Sequence, residues 1–220
     1  MLIAGIIGSE SKEQTAGLIN SILSAKGKKV SVIDSSSLTG LDLRTVKAYI
    51  SELEKNNVDM LLLKMRICDI DKIFSEEMKP DIVIYTEKAD DGAVKNDAGD
   101  TGKIESIISL MGEKGTTIVN IDDAGLIDML QGMKHNFVTY GFNTKASITT
   151  SSIGDTLFKD SFICCLQRPI PTRCGNIVEP QEYKLKLEAS EVDSHDVLAA
   201  ATFAIINDID LNNHQIISKI

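Results

Sequence analysis

The chain has 220 residues, of which 43% are hydrophobic and 25% are charged, and its formal net charge is −9. This composition is that of a globular protein large enough to bury a full core. The negative charge argues against nucleic acid and against an anionic membrane as the main partner. No leader-like segment opens the sequence and no apolar run reaches the ~18 residues of a membrane span, so we expect a cytoplasmic protein.

The first two-thirds of the chain alternates short apolar runs with amphipathic segments. Strands are predicted at Leu2–Ile7, Val30–Ile33, Met60–Leu63, Ile82–Tyr85 and Thr117–Val119. The helical period recurs between them, in Leu18, Ile19, Ile22, Leu23; Val46, Tyr49, Ile50, Leu53; Ile70, Ile73, Phe74, Met78; and Ile104, Ile107, Ile108, Met111. This pattern predicts an α/β fold of three layers, a mostly parallel sheet with helices on both faces. Ligands of such sheets bind at the carboxyl ends of the strands.

The pattern changes in the last third of the chain. Further strands are predicted at Phe137–Gly141, Ala146–Ser152, Ser161–Gln167 and Tyr183–Leu187, without helices between them, which indicates a small antiparallel addition. A helix is predicted at Val192–Asn207, and Asn212 or Asn213 is expected to cap a last short helix. The polar stretch Lys88–Gly102 is the best candidate for a mobile loop.

The segment after the first predicted strand has the layout of a phosphate-binding loop. Such a loop needs glycines, a lysine for the phosphates and a Ser or Thr hydroxyl for Mg²⁺. Gly8 and Lys12 fit this pattern, but Ser11 stands where the second glycine belongs and Glu13 where the hydroxyl belongs. A carboxylate about 4 Å from a phosphate charge costs roughly 4 kcal/mol, so we expect weakened binding of ATP and Mg²⁺. The alternative is an ordinary strand-to-helix turn.

Several stretches resemble the Mur ligase and folylpolyglutamate synthase family. Gly5–Thr15 is similar to the family loop G-x-T-G-(S/T)-N-G-K-(S/T)-(S/T)-T, and Ile118–Asp123 is similar to its V-N-x-D-D. Further similar stretches are Ile82–Glu87 with Asp90-Asp91, Lys103, Thr139–Gly141 and His195–Ala201, the last matching H-N-x-x-N-x-x-A-A. The resemblance covers essentially the whole chain and implies the P-loop-like central, ATP-binding domain of these ligases.

The resemblance implies a set of phosphate- and nucleotide-binding residues. They are Gly8, Ser9, Ser11, Lys12, Glu13, Asn120, Asp122, Asp123, His195 and Asp196. Two alternatives stay open from the residues themselves. Asp122 or Asp123 fits the N-cap of a helix at Ala124–Gln131, and His195 fits a solvated histidine before a helix. No metal ligands and no catalytic residues are assigned.

The resemblance also points to an altered metal position. The family places a glutamate after its third strand, where it helps to bind Mg²⁺, and the matching residue here is Lys64. The family's loop hydroxyl corresponds to the carboxylate of Glu13, so the negative charge stands at the loop and a positive charge stands after the third strand. We expect Glu13 and Lys64 to form a pair in place of the metal, with Lys12 and Arg66 close by. The alternative is that both side chains point to solvent.

The family flanks its central domain with an N-terminal substrate domain and a C-terminal domain that brings the amino acid, and neither is seen in this sequence. We therefore predict a single Mur-ligase-like central domain over residues 1–220, with ATP-dependent amide-bond formation lost or altered, acting as a binding or partner subunit. The alternatives are a ligase component completed by another protein, and a sensor of a nucleotide or phosphate ligand. The expected partner is a protein that supplies ligase domains or a second copy in a homo-oligomer.

Overall fold

The computed structural model describes residues 1–8, 11–75, 78–86, 98–151, 161–187, 192–211 and 215–216. The strands are β1 Leu2–Ile7, β2 Val30–Asp34, β3 Met60–Met65, β4 Ile82–Tyr85, β5 Thr116–Asn120, β6 Asn136–Tyr140, β7 Ile148–Thr150, β8 Ser161–Leu166, β9 Ile170–Pro171, β10 Ile177–Val178, β11 Gln181–Leu187 and β12 Gln215–Ile216. The α-helices are α1 Ser11–Ala25, α2 Leu43–Lys55, α3 Ile70–Ile73, α4 Ala98–Met111, α5 Ala124–Leu130 and α6 Ser194–Ile206. Short 3₁₀ turns lie at Ser35–Ser37 and Ile67–Asp69.

The main sheet of the described residues has ten strands in the order β12-β11-β8-β7-β6-β5-β4-β1-β3-β2. All neighbours from β2 to β7 are parallel, whereas β8 is antiparallel to both β7 and β11. β9 and β10 form a separate antiparallel ribbon. The predicted mostly parallel α/β sheet with a small antiparallel addition is confirmed.

Helices cover both faces of the sheet because the central strands are apolar on both sides. On one face, Leu62 packs in a core with Leu18 and Ile19 of α1 and Leu198 of α6. On the opposite face, Leu63 packs in a second core that takes its helical side chains from α2 to α5. The result is three layers, in which α1 and α6 pack side by side on one face. None of the helices in the described ranges has the length and apolar character needed to cross a membrane.

Four local predictions differ from the structure. Strands β6 and β7 run parallel to β5 and so extend the main sheet, whereas the sequence placed them in the antiparallel piece. The third helix ends after one turn at Ile73, although Phe74 and Met78 are still buried. Residues 98–102 of the predicted mobile loop belong to α4, and residues 88–97 lie outside the described ranges. Gln215–Ile216 is a strand beside β11 rather than part of a last helix; Asn212 and Asn213 are outside the described ranges.

Candidate functional site

The loop between β1 and α1 packs closely against the end of β4. The Gly8 N–H donates to the Met65 carbonyl at 3.2 Å, and a Cβ built on Gly8 would clash with the Thr86 hydroxyl. The Ser11 hydroxyl donates to the Thr86 carbonyl at 2.6 Å and lies 3.1 Å from its Oγ1. Glycine is therefore required at position 8, and Ser11, where the resemblance expects a glycine, fastens the loop to β4. Ser9 lies outside the described residues.

The Lys12 ammonium lies over this loop. Its Nζ donates to the Gly8 carbonyl at 3.1 Å. The side chain is therefore held at the N-terminus of α1, a helix of 15 residues whose first backbone N–H groups and dipole favour an anion. Lys12 therefore places a positive charge at this helix N-terminus.

The pair expected from the exchanged charges is present. Lys64 Nζ lies 2.5 Å from Glu13 Oε2, with the Lys64 side chain 19% exposed and the Glu13 side chain 54% exposed. The parallel register sets Lys64 next to Ile6 of β1 and Asp34 of β2, at the carboxyl edge of the sheet. Hydrogen bonds from Ser36 lower the pKa of Asp34, and the charges of Lys64 and Lys12 lower it further.

Arg66 does not join this pair. Its Nε donates to Asp69 Oδ2 at 3.1 Å, and Asp69 also accepts from Ser35 at 3.2 Å and from Lys72 at 3.5 Å. Burial works to raise the pKa of Asp69, but the hydrogen bonds and charge of Arg66 and the bonds from Ser35 and Lys72 hold it below its ordinary value. Arg66 therefore stabilises the turn after β3, and its ion pair among the described residues is with Asp69 rather than with Glu13.

Asp122 lies in a second cluster at the same edge of the sheet. Its carboxylate accepts from the backbone N–H of Phe142 at 2.6 Å and of Asn143 at 2.9 Å, and it lies 3.0 Å from His195 Nε2. Burial opposes ionisation of Asp122, yet these hydrogen bonds and the charge of His195 lower its pKa. A Cβ on Gly141 would come within 2.5 Å of Asp122 Oδ2, so glycine makes this approach possible.

His195 presents an aromatic face beside Asp122. Its ring lies 4.3 Å from that of Phe142, tilted by 53°, and its Nδ1 is 3.6 Å from Asp193 Oδ1. Phe142 is 52% exposed. Phe142 was not predicted from the sequence, although it directly follows the Thr139–Gly141 motif.

The remaining predicted residues have structural partners. Asn120 Oδ1 accepts from the Asp122 N–H at 3.0 Å, and Asp123 caps α5 by accepting from the Leu126 N–H at 3.0 Å. Buried Asp196 accepts from the buried Thr15 hydroxyl at 2.7 Å. Asp123 is thus the helix cap, and Asp196 joins α6 to α1. This bond holds the Lys12 loop and the His195 cluster at neighbouring helix ends.

The described side chains around the loop do not suit a magnesium ion. Among the residues that the structure describes, no three His, Cys, Asp or Glu side chains are grouped as metal ligands. Glu13, in the first turn of α1, is already bound to the Lys64 ammonium. A divalent cation here would face a fixed positive charge within a few ångströms, which is unfavourable.

Known proteins share this fold. One solved structure is the UDP-N-acetylmuramoylalanyl-D-glutamyl-2,6-diaminopimelate–D-alanyl-D-alanyl ligase from Acinetobacter baumannii (TM-score 0.64, 18% identity, 96% of this chain and 44% of that chain). Another is the MurF ligase from Thermotoga maritima in complex with ADP (TM-score 0.58, 15% identity, 96% and 46%). A third is a bifunctional folylpolyglutamate and dihydrofolate synthase with Mn, AMPPNP and L-glutamate (TM-score 0.58, 10% identity, 96% and 55%).

The chain thus spans about half the length of these proteins. A comparison with curated protein sequences finds no significant match. The family model of the Mur ligase middle domain matches residues 6–189, from the last part of β1 to the residues after β11. The chain therefore belongs to the Mur ligase middle-domain family.

Proposed function

We propose that this chain is a Mur ligase middle domain with a phosphate-binding loop but without the family's magnesium position, and that it acts as a binding or partner subunit. The observation that carries the proposal is the Lys64–Glu13 contact of 2.5 Å at the loop. In the resemblance described above, both positions belong to metal binding. Here a protein ammonium takes the place of the cation.

The pair changes the electrostatics of the loop. An unpaired Glu13 would repel a phosphate, whereas Lys64 neutralises it at short range. Lys12 then remains as the cation directed at the loop, together with the N-terminus of α1. Such a site attracts a phosphate group through the ammonium and the backbone N–H groups, and needs no divalent ion to offset Glu13. We therefore expect weak binding of nucleotide phosphates that depends little on Mg²⁺.

The cluster of Asp122, Phe142 and His195 favours a nucleotide rather than a simple anion as the ligand. Phe142 and His195 offer an aromatic surface at the neighbouring helix end, and Asp122 fixes the His195 ring. ADP and AMPPNP are named for two proteins of this fold. A base against the Phe142–His195 pair and phosphates at Lys12 is the arrangement that we propose.

Self-sufficient ligase activity is not expected. Transfer of a phosphoryl group from ATP to a carboxylate builds negative charge that must be stabilised. Lys12 can approach that charge, but Lys64 is held by Glu13.

Calorimetric titration with ATP, with and without Mg²⁺, tests the proposal. The wild-type chain is expected to bind ATP weakly and equally in both conditions, and Lys12→Ala is expected to lower the affinity about tenfold, the value of one lost charge-assisted contact. The double variant Glu13→Thr/Lys64→Glu should gain binding only when Mg²⁺ is present. Glu105→Thr/Lys134→Glu, which makes the same exchange at exposed positions away from the loop, is the matched control. Micromolar binding of MgATP by the wild type would contradict the proposal.

A further inference from the structure

The sheet ends in an open strand. β2 is the last strand in the sheet order and pairs only with β3 among the described residues. The Lys29 carbonyl, just before β2, accepts from the Asp59 N–H at 2.8 Å and the Met60 N–H at 3.3 Å. Because backbone groups alternate in direction along a strand, those of Val30, Val32 and Asp34 point away from β3. These N–H and C=O groups form a template for another strand.

Exposed apolar side chains gather along the same part of the chain. Val32 is 38% exposed, Leu41 45% and Leu43 46%, and these are three of the five large apolar side chains that are exposed in the described ranges. The helix that follows, α2, buries only Val46. An open strand edge with uncovered apolar residues marks an interaction surface or an aggregation hazard.

The charges that flank β2 are self-complementary. Lys28 precedes the strand and Asp34 ends it. In an antiparallel pair centred on Ser31, Lys28 of each copy lies opposite Asp34 of the other, and Val30 lies opposite Val32. Opposite charges and β-branched residues are favourable cross-strand pairs. A pair centred on Val32 would instead set Val30 against Asp34, so the register centred on Ser31 is preferred.

Lys28 is available for such a contact. Its ion pair with Asp59 has a distance of 4.0 Å, and the two side chains are 53% and 46% exposed. A pair of this kind is worth little. Asp34 keeps its bonds to Ser36 through Oδ1, which leaves Oδ2 for the second copy. Both charged ends of β2 can therefore meet a partner without loss of a strong internal bond.

We propose that two copies of the chain associate through β2 in antiparallel, two-fold fashion, centred on Ser31, so that their sheets become continuous. A two-fold contact uses the same surface on both copies. Each copy therefore covers the β2 edge of the other, and no β2 edge is left to add a third copy and extend a fibre. It also brings the Lys28 of one copy to Asp34 of the other, next to Lys64 and the phosphate loop.

The oligomeric state of the full chain provides the first test. Light scattering after size exclusion should give the mass of a dimer, with Lys28→Glu weakening association at least tenfold because a carboxylate at position 28 then faces Asp34 twice. Lys47→Glu, an equal charge change at an exposed position of α2, is the control and should leave the dimer intact. A wild-type monomer at all concentrations, or a dimer insensitive to Lys28→Glu, would overturn the proposal.

Disulfide trapping tests the register. Directly opposed residues in a non-hydrogen-bonded antiparallel pair have Cα atoms about 4.5 Å apart, within the disulfide range. In a background with the exposed Cys68 and Cys174 changed to Ser, Ser31→Cys should form a cross-linked dimer on mild oxidation. Ser51→Cys, exposed on α2, should not. Cross-linking by Val32→Cys but not by Ser31→Cys would overturn the proposed register, and a dimer that Ser31→Cys fails to cross-link would overturn pairing through β2. Circular dichroism checks that each variant is folded.

Discussion

The ammonium of Lys64 lies 2.5 Å from the carboxylate of Glu13 and ties the end of β3 to the first turn of α1. The two residues are 51 positions apart in sequence. Their contact lies at the carboxyl edge of the sheet, beside the loop that carries Lys12, and joins the two opposite charges in one neutral pair.

A double-mutant cycle measures the coupling energy between Lys64 and Glu13. We expect Lys64→Met and Glu13→Gln to show a coupling energy of about 1 kcal/mol in urea unfolding, above an exposed pair because Lys64 is sheltered, and the coupling should fall in high salt. The Lys28–Asp59 pair, with a distance of 4.0 Å and both side chains half exposed, is the control and should couple by about zero. Equal coupling in the two cycles would contradict the account of the Lys64 site.

Substitution by alanine is expected to change the stability of the chain in opposite directions at Gly8 and at Gly17. Gly8→Ala drives a methyl group against the Thr86 hydroxyl and should destabilise the chain by about 1–3 kcal/mol. Gly17→Ala, in α1 with no atom near its Cβ position, should stabilise it by about 0.5–1 kcal/mol. Thermal unfolding measures both, and Thr86→Ala should partly rescue Gly8→Ala. A neutral Gly8→Ala would mean that the loop does not pack as described.

Loss of the Thr15–Asp196 hydrogen bond should lower the stability of the chain, even when threonine is replaced by valine, which has nearly the same shape. Thr15→Val removes a 2.7 Å hydrogen bond to a buried carboxylate and should cost about 1–3 kcal/mol of unfolding free energy. Thr202→Val is the control, because the equally buried Thr202 hydroxyl donates to the Leu198 carbonyl within its own helix. That change should cost less than about 1 kcal/mol. If both variants lose the same free energy of unfolding, the bond between α1 and α6 contributes no more to stability than a bond within one helix.

The ionised carboxylate of Asp122 is expected to stabilise the chain in a pH-dependent way. Its pKa is lowered in the folded chain, so its stabilisation is complete above the unfolded pKa of about 3.9 and is lost as the pH falls through the folded pKa. We expect Asp122→Asn to reduce the free energy of unfolding by about 1–2 kcal/mol at about pH 5 and by progressively less as the pH falls through the folded pKa.

Asp128→Asn provides the comparison for this measurement, because Asp128 is exposed on α5. Its effect should be small throughout this pH range. A loss in Asp122→Asn that does not shrink as the pH is lowered to the point of acid unfolding would show that the carboxylate charge is not what the Phe142 and Asn143 amides bind.

The sequence alone determined the first five strands and one helix cap. The apolar runs fix β1 to β5 because strands covered on both faces must be apolar on both faces, and Asp123 is found as a cap because an aspartate before a helix accepts its free N–H groups. The contact of Glu13 with Lys64 was predicted from the family resemblance, in which both positions face one metal ion. These predictions therefore rest either on residues close in sequence or on the resemblance.

Only the tertiary structure decided the partners. Asp122 resembles a second helix cap in sequence, yet it binds amides 20 and 21 positions further on. Arg66 pairs with Asp69 rather than with Glu13, and β6 joins the parallel sheet. Periodicity reports that a side chain is buried, but not which distant group it meets. That choice depends on how the whole chain packs, because hydrogen bonds and ion pairs form only between groups that the fold brings within a few ångströms.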